Sequence, residues 1–134
     1  GAKFGAPHRE VVAIIGDGGF QMTLQELGTI MQAQVSVKML ILNNRFLGMV
    51  RQWQQLFHDK RYSFVDIQSP DYVQLVKAYG LEGNSVDDRK NLKEALQKML
   101  DSKDSYLLEV MVGKEDNVFP MVPQGCSVSE IRLK

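Results

Sequence analysis

Two short polar clusters interrupt apolar stretches in this chain, and both carry oxygen donors. Gly16-Asp17-Gly18 follows Val11-Val12-Ala13-Ile14-Ile15, and Asn43-Asn44 follows an apolar run that ends at Leu42. A carboxylate after one strand and an amide after another are hard oxygen ligands of the kind Mg²⁺ takes. Glycines beside the acid leave backbone N–H groups open at the start of a helix, where a phosphate binds readily. Each half alone is common: an Asp before a helix caps its free N–H groups, and an Asn after a strand holds a turn. Found together with one helix between them, they point to a metal–phosphate site at the carboxyl ends of strands, the usual crevice of open α/β sheets.

Such a site needs a sheet behind it, and the pattern supplies one. Strand and helix signals alternate, which argues for an α/β fold, an open parallel sheet with helices on both faces. Val11 to Ile15 is continuously apolar, as in a strand covered on both sides. A helix is expected from about Met22 to Gln34, with Leu24, Leu27, Gly28 and Met31 on its buried face. Gly28 there costs about 1 kcal/mol of helix propensity and suggests close packing. Val37 to Leu42 is the second strand, and a second helix runs from Leu47 to Phe57. His58 to Ser69 reads as a surface loop. Ser69-Pro70-Asp71 then starts a helix with Ser69 as its cap, and Gly80 ends it. A weak strand at Leu81 to Val86 follows. Asp87 or Asp88 caps a helix whose inner face is Leu92, Ala95, Leu96, Met99 and Leu100. Tyr106 to Val112 is the last strand. Residues 1–113 thus form an α/β core, and 114–134 an extended tail with one turn at Ser129 to Leu133.

Composition narrows the function further. The 134 residues suit one domain, and their 44% hydrophobic content is ordinary for a globular chain. Sixteen basic and sixteen acidic residues cancel, so nothing favours nucleic acid or an anionic membrane. No apolar run approaches the ~20 residues of a membrane span. The single cysteine, Cys126, rules out an internal disulfide and fits a reducing, cytoplasmic setting.

Longer stretches around the two clusters carry a resemblance. Gly16-Asp17-Gly18-Gly19-Phe20-Gln21-Met22, Leu24-Gln25-Glu26-Leu27, Asn43-Asn44 and Gly48-Met49-Val50-Arg51-Gln52-Trp53-Gln54 resemble the cofactor-binding domain of acetolactate synthase (acetohydroxyacid synthase) large subunits. Arg61-Tyr62-Ser63 and Pro120-Met121-Val122-Pro123-Gln124-Gly125 fit the same family. The segment at Gly48 to Gln54 separates it from other thiamine enzymes. Two further readings stand beside it: another thiamine-diphosphate-dependent decarboxylase, oxidase or carboligase, and a non-catalytic α/β binding module.

The resemblance implies thiamine diphosphate and Mg²⁺, with FAD held outside this segment. It assigns Asp17, the Asn44 amide and the Phe46 carbonyl to the metal. Gly16, Gly18, Gly19, Phe20, Gly48 and Met49 join them around the cofactor, with backbone N–H groups of residues 18–20 facing the diphosphate. Met49, Val50 and Trp53 would line the substrate channel, although their spacing alone reads as core. Arg45 stands where many relatives carry an acid. Gln21, Gln25, His8, His58 and Glu109 are expected to be structural or solvent-facing. The implied reaction decarboxylates pyruvate and joins the two-carbon unit to pyruvate or 2-oxobutyrate, for branched-chain amino acid synthesis. A homodimer or tetramer, with the active site at the subunit interface, and a regulatory small subunit are implied partners.

The same resemblance implies a cut from a longer polypeptide, lacking a strand and helix at the N-terminal edge of this domain and two further domains. No glutamate here matches the family's ring-activating one, which comes from the missing N-terminal domain of the partner. This chain by itself is therefore expected to form no acetolactate from pyruvate, which a product assay on the purified chain checks.

Overall fold

The computed structural model describes residues 1–133. In chain order the elements are α1 (Ala2–Gly5), β1 (Val12–Gly16), α2 (Asp17–Gln21), α3 (Glu26–Ala33), β2 (Lys38–Asn43), α4 (Gly48–Phe57), α5 (Tyr72–Ala78), β3 (Glu82–Val86), α6 (Arg89–Asp101) and β4 (Tyr106–Met111). The four strands form one parallel sheet in the order β1-β2-β4-β3. This is the α/β architecture that the alternating pattern implied.

Alternation along β4 divides the core into two layers. Leu107 faces one side, where Phe20, Leu27, Tyr72 and Val76 from α2, α3 and α5 cover Met39 and Ile41. Tyr106 and Leu108 face the other, where Ala95 and Met99 of α6 pack with Val86. Helices therefore lie on both faces, but unequally. The α6 layer covers β3 and β4 and stops short of β1, so Ile14 is 66% exposed and Val12 and Leu42 are partly bare. The continuous apolar run of β1 had implied cover on both sides. Its position at the sheet edge is what removes half of that cover.

Three local boundaries differ from expectation. The helix expected at 22–34 starts only at Glu26, because residues 23, 26 and 27 close tighter bonds in the turns before it: Thr23 N–H donates to Phe20 at 3.0 Å, Glu26 to Thr23 at 3.0 Å and Leu27 to Leu24 at 3.1 Å. The rotation this introduces buries Leu27, half-buries Ile30 and leaves Met31 exposed. Gly28 is not a close approach, since a Cβ there would sit 3.9 Å from Tyr79, an ordinary contact. Asp71 rather than Ser69 caps α5, accepting from Gln74 N–H at 2.9 Å. Pro70 thus precedes the cap, and the Ser69 hydroxyl is free to turn toward Asp17. On α6, capped by Asp88, Leu100 is exposed and Ala95 and Met99 carry the buried face.

Lys38 is fully buried at the base of β2 and donates to the Ser102 and Asp104 carbonyls at 2.6 and 2.5 Å. A buried ammonium needs such partners, and here it ties the end of α6 to the start of β4. Gly80, at φ 73°, ends α5 as expected: its left-handed turn lets Leu81 N–H reach back to the Val76 carbonyl at 3.0 Å. Gly83 on β3 allows α5 to lie close, because an added Cβ would stand 2.9 Å from Val76 Cγ2 and 3.1 Å from the Leu107 carbonyl oxygen. Gly83→Ala is expected to cost about 1–3 kcal/mol through overpacking, seen as a lowered denaturant midpoint with unchanged slope.

Candidate functional site

The two clusters meet because β1 and β2 run parallel in register. Gly16 lies beside Leu42, so Asp17 and Asn44 leave the sheet side by side at the same end. Between and above them is a cleft of about 700 Å³. Its walls include Gly16, Asp17, Gly18 and Gly19 from the first strand end. The second strand end contributes Asn44, Phe46, Gly48, Met49 and Val50. Phe20 and Trp53 stand apart from those walls. The Phe20 ring is in the core, edge-on to Tyr72 at 5.3 Å, and Trp53 lies against Phe57 at 5.1 Å. Met49 and Val50 are about half exposed. The face of α4 that packs inward belongs instead to Arg51 and Gln52, so spacing alone misassigns this helix.

Asp17 is 1% exposed. Its Oδ2 accepts from the Ser69 hydroxyl at 3.1 Å, and its backbone carbonyl accepts from the Tyr72 hydroxyl at 3.1 Å. Burial pushes the Tyr72 phenol pKa up, so it stays protonated and keeps donating. No helix cap is made by the Asp17 side chain, since α2 starts at Asp17 itself with Gly16 at the cap position. Because α2 is short, its dipole adds little, and any attraction for an anion must come from individual N–H groups. Gly18 has no room for a side chain: a Cβ would lie 2.8 Å from Leu47 Cδ2. Gly16, by contrast, has nothing within 4 Å of that position.

The second strand end is a pair of consecutive side-chain turns. Asn43 Oδ1 accepts from Arg45 N–H at 3.0 Å, and Asn44 Oδ1 accepts from Phe46 N–H at 3.0 Å. Arg45 sits at φ 58°, a left-handed conformation that costs a non-glycine residue about 1–2 kcal/mol. The turn role expected of an asparagine here is thus real, and it leaves the amide oxygen of Asn44 a second lone pair.

Phe46 pairs antiparallel with Asp66. In this bridge the flanking residues make the bonds: Ile67 N–H to the Arg45 carbonyl at 3.0 Å, and Leu47 N–H to the Val65 carbonyl at 2.8 Å. Phe46 is therefore at a non-hydrogen-bonded position, and its own N–H and C=O point away from the partner segment. The N–H goes to Asn44. Among the described residues no backbone N–H reaches the Phe46 carbonyl.

A buried carboxylate, an amide oxygen and a free carbonyl oxygen form an oxygen donor set that fits Mg²⁺. Among the described residues no three of His, Cys, Asp and Glu gather at one point, so the candidate centre has only this mixed set. Beside it Gly16 opens onto free space, with nothing within 4 Å of where a Cβ would stand.

Sequence reasoning missed the far wall. Gly113, Asp116 and Val118 come from the chain after β4, and Gln52 fixes them there. The Gln52 amide donates to the Val118 carbonyl at 3.0 Å and accepts from Val118 N–H at 2.7 Å. Nothing local in the sequence signals this pairing, since its partners lie 66 residues apart. Farther along, the expected turn is a single 3₁₀ turn at Val128–Glu130, boxed by Ser127 and Glu130. Met121 and Arg132 form an antiparallel bridge across it.

A cleft at the carboxyl end of a parallel α/β sheet is where such folds bind ligands. Residues 1–110 match the family described as thiamine pyrophosphate enzyme, C-terminal TPP binding domain, and the chain belongs to that family. Within it, this chain is similar to acetolactate synthase large subunits. It is 44% identical to the isozyme 2 large subunit of Escherichia coli K12 over 100% of this chain and 25% of that protein. It is 41% identical to the large subunit of Cyanidium caldarium over 98% of this chain and 23% of that protein. The chain thus spans about a quarter of the length of these curated relatives. Among solved structures, the Rhodococcus jostii RHA1 thiamine diphosphate-dependent 4-hydroxybenzoylformate decarboxylase superposes with a TM-score of 0.78. That match has 26% identity over 87% of this chain and 22% of that protein. No helix among the described residues is long and apolar enough to cross a membrane.

Gln52→Ala removes both bonds to Val118, each worth about 1 kcal/mol net. Faster amide hydrogen exchange at Val118 and its neighbours, with exchange in β2 unchanged, is the expected result.

Proposed function

We propose that this chain is the thiamine diphosphate- and Mg²⁺-holding part of an acetolactate synthase catalytic subunit. The observation that carries the reading is the gathering of Asp17, Asn44 and the free Phe46 carbonyl in one glycine-walled cleft. The 44% identity to an acetolactate synthase large subunit supports it over other thiamine enzymes, since the decarboxylase likeness is at 26%.

In this reading Asp17, Asn44 and the Phe46 carbonyl would hold Mg²⁺ beside the diphosphate. Backbone N–H groups of Gly18 and Gly19 would be donors for the same anion. Thiamine diphosphate, when bound, supplies the electron sink for decarboxylation of a 2-oxo acid. Met49 and Val50 present an apolar wall on the opposite side, suited to excluding water from the reacting atoms. Trp53 extends that wall toward the acceptor only if its Phe57 contact rearranges. The overall conversion takes two pyruvates and a proton to acetolactate and CO₂, with 2-oxobutyrate as the other acceptor. The ring-activating glutamate and the FAD site belong to other parts of the intact protein, and the active site is completed by a second subunit in a dimer or tetramer. A regulatory small subunit and a cytoplasmic location belong to the same reading.

The test is cofactor binding to the intact protein. Asp17→Ala and Asn44→Ala are each expected to weaken Mg²⁺-dependent thiamine diphosphate binding at least about tenfold in calorimetry, with the thermal midpoint little changed. Near-normal affinity in both variants would place the metal elsewhere.

A further inference from the structure

The turn that carries Asn44 and Phe46 is held from behind by a residue that the proposed site does not use. Glu109 lies in the interior of β4, in register with Ile41 of β2 and Ser85 of β3. Asn43, two positions on from Ile41, ends β2 and is 2% exposed. The two side chains are diagonal neighbours on one face of the sheet, within reach for a long side chain. Asn43 Nδ2 donates to Glu109 Oε1 at 2.7 Å.

That bond decides which way the Asn43 amide points. With the NH₂ group donating to Glu109, the amide oxygen is turned to the other side. Asn43 Oδ1 is then presented to Arg45 N–H, the bond that holds Arg45 in its left-handed conformation. Were the amide reversed, its NH₂ would confront the Arg45 N–H, two donors with no acceptor. Arg45 in turn fixes Phe46, because its carbonyl takes the Ile67 N–H that seats the bridge. The chain of contacts runs from Glu109 through Asn43 and Arg45 to the free carbonyl of Phe46. Glu109, Asn43, Arg45 and Ser69 all border a second cavity of about 620 Å³ behind the turn.

We infer that Glu109 is a positioning residue for the metal turn: through Asn43 it sets the geometry in which Asn44 and Phe46 offer oxygen to Mg²⁺. This rests on the proposed metal–diphosphate reading of the cleft. Supporting residues of this kind typically change metal affinity by about 10–100-fold when removed.

The experiment measures, in the intact protein, the Mg²⁺ concentration that half-saturates thiamine diphosphate binding by calorimetry. Glu109→Ala is expected to raise it at least about tenfold, with binding restored at saturating Mg²⁺. Glu109→Gln keeps an acceptor oxygen for Asn43 and is expected to stay within about threefold of wild type. Adding Glu109→Ala to Asn43→Ala should raise the requirement no further, because Glu109 acts only through Asn43. A merely structural role would lower the unfolding midpoint without a Mg²⁺-rescuable defect. Should Glu109→Ala fail to fold, Asn43→Ala removes both the Glu109 and the Arg45 bonds and is expected to raise the requirement at least as much. A wild-type Mg²⁺ requirement in the folded variant overturns the inference, and so does a loss that Mg²⁺ cannot rescue. Asp17→Ala separates the two levels. If it too binds normally, the cleft reading falls; if it alone is weakened, only the role of Glu109 falls.

Discussion

Parallel pairing of β1 with β2 is the constraint on which the site depends. Each strand is followed by chain that must leave the sheet, and the register of Gly16 with Leu42 makes both departures occur at one height. A shift of one residue would turn Asp17 toward the opposite face and separate it from Asn44, since side chains alternate along a strand. The ladder itself is held by burial rather than by the site. Met39 and Ile41 face one layer and Leu40 the other, and a one-residue slip would reverse all three.

Around that ladder the site is assembled by denying groups their usual partners. The Phe46 carbonyl is free because its neighbours take both bonds of the bridge with residues 65–67. Asp17 keeps its carboxylate off α2 because Gly16 occupies the cap position. α5 is capped by Asp71, so Ser69 serves Asp17 instead of a helix. In each case a local rule of backbone pairing is suspended at one residue. Those residues cluster at the cleft, as expected where structure is organised for a ligand rather than for itself.

The strand ends, the glycines and the start of α4 were legible in the sequence because their signals are local. Apolar runs ending in Gly16-Asp17 and Asn43-Asn44 announce both strand and turn within a few residues, and Gly80 marks its helix end in the same way. What was hidden depends on residues far apart in the chain. Nothing near Gln52 reveals that its amide will bond Val118, and nothing near Glu109 reveals Asn43. Periodicity also misjudged α4, where Met49, Val50 and Trp53 look like a core stripe. The inward face is polar because the segment it meets, around Val118 and Met121, offers backbone groups and a thioether to bond. The late start of α3 escaped notice for a related reason: its apolar spacing tolerates a change of winding.

The uneven cover of the sheet has a colloidal consequence. At β1 the chain presents an unpaired backbone edge beside Val12 and Ile14, a surface that can add a strand from a neighbouring molecule. Long-range repulsion offers no defence, because sixteen positive and sixteen negative residues leave zero formal charge near neutral pH. Solubility of this chain in isolation would then turn on acidity and salt more than on folding stability. It would be poorest where the charges balance and would improve as the solution moves to either side.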